Sequence, residues 1–413
     1  MTGTRPAADA RAAARALTHT FRQHVAQTSA EPLGIVVAQA RGSWIIDIHG
    51  RRYLDLLSGM GVSNLGHGNA VVRRACRAQL DRYLHVMVYG EFVLDAQVRL
   101  AAQLTTLAGP PFEQAYFTNS GAEAIEGALK TARKHTRRAG LVAFELGFHG
   151  DTLGALSVGG NPHYRDPFLP LLPHTTILPW SDADALQAID RRTAAVVIEP
   201  VQAEGGVRSA DPAFLRLLRD RCTKVGALLI FDEVVTGLGR TGTLFAFEQS
   251  GIRPDLLVLA KALGGGLPLG AFLGSRKVLG TLARNPALGH VTTFGGHPLS
   301  CAAATAALQV LADRGLVAQA AARGRTFLAG LQDLQRAHPV IRAVRGVGLL
   351  LAIELRSARA TRRFAAACLA RGLILNWTLH RDTVVRLAPP LTISPGEIRH
   401  ALDALDAALR SLA

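Results

Sequence analysis

Two short apolar runs constrain this chain more than anything else in it. Ala227-Leu-Leu-Ile-Phe-Asp232 ends in an acid, and Asp255-Leu-Leu-Val-Leu-Ala-Lys261 ends in a lysine. Continuous apolar runs of this length, bounded by polar residues and glycine, suit strands buried on both faces of a parallel sheet. Ligands of such sheets bind at the carboxyl ends of the strands. Asp232 and Lys261 are therefore expected at one edge. An amine able to form an imine, beside a fixed carboxylate, points to pyridoxal phosphate. The lysine would hold the cofactor as a Schiff base, and the acid would keep its pyridine nitrogen protonated.

Lysine usage narrows the choice. Of 46 Lys+Arg residues, only Lys130, Lys134, Lys224, Lys261 and Lys277 are lysine. A strand-end lysine ordinarily points to water. Lys261 differs in lying between an apolar run and Gly264-Gly-Gly266.

A chain of 413 residues can bury more than one core. Hydrophobic residues at 49% and charged residues at 19% exclude a disordered chain. The net charge of +15 is almost entirely arginine, scattered along the chain with only 6% aromatics. That argues against a nucleic-acid partner. Four separated cysteines form no C-x-x-C and read as reduced core residues. No apolar leader or spanning run is evident, so no membrane partner and a cytoplasmic location are expected.

Residues 1–35 begin as an arginine-rich helical arm. Trp44 to Asp55 reads as two short strands turning at His49-Gly50, followed by the glycine-rich loop Ser58–Gly68. Helical periodicity covers 70–108. Gln114–Asn119 is a predicted strand, and Ser120 opens a helix with Glu123 at capping-box spacing. The start of that helix suits a phosphate, although the motif alone reads more readily as an ordinary capped helix. Further strands are predicted at 141–145, 194–199 and 269–274. An alanine-rich helix follows over 301–334, then strands at 346–354, 372–377 and 384–387, and a last helix over 395–412. The domains expected are an N-terminal segment (1–60), a large domain (61–297) and a C-terminal small domain (298–413). Gly237-Leu-Gly-Arg-Thr-Gly242 matches a dinucleotide fingerprint, but Glu233-Val-Val-Thr236 separates it from the strand, so it reads as a loop. Histidines 67, 149, 290 and 297 are expected in loops near the crevice, as hydrogen-bonding residues and not as metal ligands.

Several separated stretches agree with one family. They are Asp47–Asp55, Asn64-Leu-Gly-His67, Phe117–Ala124, Phe148-His-Gly150, Glu199-Pro-Val-Gln-Ala-Glu204, Asp232–Gly242, Lys261-Ala-Leu-Gly-Gly-Gly, Thr293–Pro298 and Arg386-Leu-Ala-Pro-Pro390. In this order they resemble the class III pyridoxal-phosphate aminotransferases, of the ornithine, acetylornithine and 4-aminobutyrate type. The resemblance implies a fold-type I α/β enzyme, with a mostly parallel seven-stranded sheet flanked by helices and a smaller α+β domain. It makes Lys261 the Schiff-base lysine and proton carrier, and Asp232 the partner of the pyridinium nitrogen. Gly121 and Ala122 would bind the phosphate, and Phe148 would stack on the ring. Ser120, His149, Glu199 and Val235 fall around the cofactor. Thr293 would reach the neighbouring subunit's cofactor, which implies a homodimer. Met60, Glu204 and Arg386 would face substrate, with Glu204 swinging from Arg386 when a carboxylate arrives; Gly205 and Gly206 would lend it mobility.

Two departures stand out. Val235 replaces a glutamine common in the family near the cofactor's O3′. Asp151 replaces the arginine that holds a substrate carboxylate in ornithine-type members, which leaves the amino donor open. The reaction expected is ping-pong transfer of an amino group from an amine, ω-amino or α-amino acid to a keto acid such as 2-oxoglutarate. A racemase, aminomutase or decarboxylase on the same fold is the alternative, and a non-catalytic binding protein is a third reading.

Overall fold

The computed structural model describes residues 7–313 and 315–412. The first six residues of the expected arm lie outside these; the arm's helix runs from Ala7 to His24.

A seven-stranded sheet carries the two defining runs. Its order is Gln114–Thr118, Gly270–Gly274, Leu256–Leu259, Leu228–Asp232, Thr193–Ile198, Gly140–Phe144 and Thr175–Leu178. Only Gly270–Gly274 runs against its neighbours. Alternate side chains of the central strands enter different cores. Leu229, Phe231, Leu257 and Leu259 join one cluster, while Leu228, Ile230, Leu256 and Val258 join the other. Burial on both faces is why these strands read as unbroken apolar runs.

The edge strand Thr175–Leu178 was not predicted. It is four residues long and only Leu178 is fully buried, so it carries no apolar run. The helical stretch 70–108 is two helices, Ala70–Leu80 and Asp95–Ala108. The alanine-rich helix is likewise two, Pro298–Asp313 and Leu316–Ala337, the second starting after Gly315 at φ +60°.

The strand predicted over 346–354 is a hairpin. Ile341–Val347 and Leu350–Leu355 pair antiparallel, turning at Gly348. A Cβ on Gly348 would meet the Arg240 carbonyl at 2.6 Å, and its φ of +57° also favours glycine. The predicted strand 372–377 divides between two sheets. Leu373–Ile374 pairs with Leu54 and Asp55 of the N-terminal sheet, whereas Asn376–Thr378 pairs with Arg381–Leu387. No single helix among the described residues is long and apolar enough to cross a membrane.

Candidate active site

Strand register brings the acids together. Phe231 lies opposite Ile198 in the parallel pairing, so Asp232 and Glu199 emerge side by side at the carboxyl edge. Asp232 also lies opposite Val258, three residues before Lys261. All three side chains line a cavity of about 410 Å³, with Gly121, Ala122 and Phe148.

Asp232 is buried, and each of its oxygens accepts one hydrogen bond. Oδ1 accepts from the Val234 N–H at 3.0 Å, and Oδ2 accepts from His149 Nδ1 at 2.7 Å. Burial alone would push the His149 imidazole down, but its bond to the Asp232 carboxylate lifts it above its ordinary value. Glu199 accepts from the N–H groups of Phe148 and Ala203, both at 3.2 Å. Burial raises its carboxyl to about 7, against the pull of His149.

Lys261 begins a short 3₁₀ turn with φ +49°. Left-handed backbone at a non-glycine residue costs on the order of 1 kcal/mol and clusters at functional sites. Burial pushes its amine below the ordinary lysine range, which favours the neutral form that can attack a carbonyl. At the head of the glycine-rich loop, Asp55 accepts from the N–H groups of Leu57 and Ser58 at 2.9 and 2.8 Å. It thereby holds the loop in which Ser58 and Met60 also take positive φ.

The helix Gly121–Thr136 points its N-terminus into the cavity. Ser120 caps it through the Glu123 N–H. The expected capping box is displaced by one residue: Glu123 Oε2 accepts from the Asn119 N–H at 2.8 Å and not from Ser120. Among the described residues, Gly121 and Ala122 N–H groups have no backbone or side-chain acceptor. A Cβ on Gly121 would lie 3.1 Å from Val234, so the helix start is packed close against the strand loop.

Arg386 is buried and paired with Glu204. Burial pushes the Glu204 carboxyl up, but the Arg386 guanidinium, together with the Leu379 N–H and the Lys261 charge, brings it below its ordinary value. The Met60 sulfur lies 3.4 Å from an Arg386 nitrogen, so it covers the arginine instead of lining the cavity itself. Glu204 does line the cavity. It is buried, however, and a Cβ on Gly205 would meet the Leu146 carbonyl at 3.0 Å. The expected mobile loop is a packed one.

The remaining expected site residues separate here. Ser120, His149 and Val235 line the cavity. Thr293 is exposed and outside this cavity. Of the four histidines only His149 reaches the site. His67 pairs with Asp55 at 2.8 Å, His290 contacts Lys130, and His297 stacks on His85. Val62, Val234 and Leu267 line the cavity unforeseen; apolar residues in loops carry no sequence signal.

The residues fit pyridoxal phosphate: a buried amine, a fixed carboxylate, an aromatic wall and free N–H groups for a phosphate share one cavity. The family model for class-III aminotransferases matches residues 25–409. The chain belongs to the class III aminotransferases. An acetylornithine aminotransferase of Methanosarcina acetivorans is 40% identical over 376 residues, 91% of each chain. A putrescine aminotransferase of Pectobacterium atrosepticum is 40% identical over 399 residues, 93% of this chain and 84% of the relative. Among solved structures, an ornithine aminotransferase of Toxoplasma gondii, with partial occupancy of pyridoxal phosphate at its active site, superposes with a TM-score of 0.90 at 30% identity. The match covers 97% of this chain and 94% of that one. This class III aminotransferase is thus a transaminating enzyme whose cofactor is pyridoxal phosphate. Among the readings weighed from the sequence, transamination is the one that the family and these relatives support, rather than a racemase, aminomutase, decarboxylase or non-catalytic protein.

Proposed function

We propose that the enzyme transfers an amino group from an amine donor lacking a carboxylate at its far end to a dicarboxylic keto acid such as 2-oxoglutarate. Pyridoxal phosphate supplies the aldehyde that takes up the amino group and the ring that draws electrons from the donor carbon. Lys261 attaches the cofactor and carries the proton to and from that carbon. Asp232, oriented by His149, holds the ring nitrogen protonated. Gly121 and Ala122 donate to the phosphate, and Phe148 forms one wall.

The observation that carries the acceptor is the buried Glu204–Arg386 pair, whose Glu204 lines the cavity. With Glu204 in place the guanidinium is masked and a neutral donor is accommodated. With Glu204 displaced, Arg386 binds a carboxylate through two parallel hydrogen bonds. Arg386→Ala is expected to raise the KM for the keto acid far more than for an amine donor. The loss corresponds to about 2–4 kcal/mol, and single-turnover kinetics of each half-reaction measure it. Equal losses in both would make Arg386 structural only.

Asp151 supports the donor assignment. It is exposed and directly follows Gly150, which lines the cavity, and its charge acts on His380. A carboxylate there repels an acidic donor tail and attracts a cationic one, as in a diamine. Asp151→Arg is expected to shift kcat/KM from a diamine towards an ω-amino acid of equal length. An unchanged ratio would remove Asp151 from the donor subsite.

The partner is proposed to be a second copy of the chain. Met87, Phe92, Val93, Leu288, Val291 and Phe294 are exposed, and a groove of about 1040 Å³ runs between their two segments. Exposed apolar surface of this kind marks an interface. Thr293 lies within it, where it serves the neighbouring subunit's cofactor.

A further inference from the structure

Glu204 must leave Arg386 for a carboxylate to bind, yet it is held at more than one point. Oε1 accepts from Arg386. Oε2 accepts from the Leu379 N–H at 2.8 Å, and the Glu204 carbonyl accepts from the His380 N–H at 3.1 Å. Leu379 and His380 form the tip between the paired strands Asn376–Thr378 and Arg381–Leu387. Thr378 Oγ1 donates to the Arg381 carbonyl at 2.8 Å across its base.

The tip is itself fastened from outside. Its Leu379 carbonyl accepts from the Tyr164 hydroxyl at 2.9 Å. The His380 imidazole bonds to the Leu146 carbonyl at 2.9 Å. Its ring lies 5.3 Å from that of Tyr164 and 5.9 Å from that of Phe148. The Leu379 side chain is 39% exposed, so the polar bonds and the His380 ring contacts, not packing of Leu379, hold the tip in place.

We propose that the Leu379–His380 tip is a latch on Glu204, and that Tyr164 is the positioning residue that sets its strength. The proposal rests on the Glu204–Arg386 exchange described above. Glu204 can swing out only by surrendering the Leu379 N–H, or by drawing the tip with it against Tyr164. The latch therefore favours the masked arginine and makes the site selective for donors without a carboxylate there. Weakening it leaves Arg386 more available to carboxylate ligands.

Glutarate, an unreactive dicarboxylate, tests this by calorimetric titration of the cofactor-loaded enzyme. Tyr164→Phe removes only the hydroxyl. It is expected to tighten the glutarate Kd by about 3- to 10-fold, the worth of one net hydrogen bond. Glu204→Gln is expected to tighten binding by itself, and adding Tyr164→Phe to it should change nothing further. An unchanged or weaker Kd in Tyr164→Phe, or equal tightening in both backgrounds, would overturn the latch while leaving the exchange intact. A Kd indifferent to both Glu204→Gln and Arg386→Ala would overturn the exchange, and the latch with it.

Discussion

Two buried acids stand next to each other with different partners. Asp232 meets a histidine able to carry charge, whereas Glu233 meets only the N–H groups of Ala246 and Phe247, at 2.5 and 2.8 Å. Burial raises the Glu233 carboxyl from 4.5 to about 8. The folded state then holds a proton that the unfolded chain has released. Such a group contributes stability below the unfolded value, and the contribution is lost as pH rises through the folded one. Stability is expected to decline between roughly pH 5 and 8, and Glu233→Gln should flatten that decline in urea unfolding followed at several pH values. A wild-type profile with no such slope would count against it. At Lys261, replacement by alanine is expected to abolish borohydride-fixed attachment of pyridoxal phosphate, read by mass spectrometry, while circular dichroism stays native. Attachment at another lysine would refute the assignment. Lys261 and Asp232 were legible because each ends an apolar run. Tyr164 and His380 were not: one lies in the short helix Pro162–Arg165 and the other at a strand-to-strand turn, 216 residues apart in the chain, and only folding sets them in contact.

At the level of elements, the weak dinucleotide match proves to be a joint. Arg240, in the loop after the Asp232 strand, is fully buried. Its guanidinium donates to the carbonyls of Leu349 and Pro389 at 3.0 and 2.5 Å, and to Asn64 Oδ1 at 2.6 Å. It thus ties the sheet to the Gly348 hairpin, to the segment following Arg386, and to the glycine-rich loop. Arg240→Met would leave three buried acceptors unpaired and should cost about 3 kcal/mol in chemical denaturation. A loss under about 0.5 kcal/mol would show that the joint is dispensable. The hairpin at Gly348 escaped the sequence because both of its strands are apolar near the turn. Nothing polar interrupts Gly346 to Ile353, and the break is marked only by a glycine.

On the scale of the whole molecule, the proposed second copy of the chain would cover the exposed apolar side chains of Val93 and Phe294. Val93 is 91% exposed and Phe294 54%. Sedimentation velocity should find a dimer at micromolar concentration, and Val93→Asp with Phe294→Asp should shift it towards monomer with reduced turnover. A fully active monomer would contradict shared sites. The chain's charge of +15 bears on solubility and association, not on the fold.

By itself, the sequence determined the parts that depend on neighbours along the chain. Burial on both faces requires apolar residues at every position, so the central strands declared themselves. The acid and lysine at their ends follow from that, as does the anion-binding start of the helix after Ser120. The family motifs lie on these same segments. Only the tertiary structure decided which side chains meet across long separations. It set His149 against Asp232 and the Leu379–His380 tip between Glu204 and Tyr164, whereas the Glu204–Arg386 pair was already implied by the family resemblance. It also divided 372–377 between two sheets. The physical reason is common to all of these: a buried charge or backbone group must find a partner in space, and the identity of that partner is fixed by packing, not by spacing along the chain.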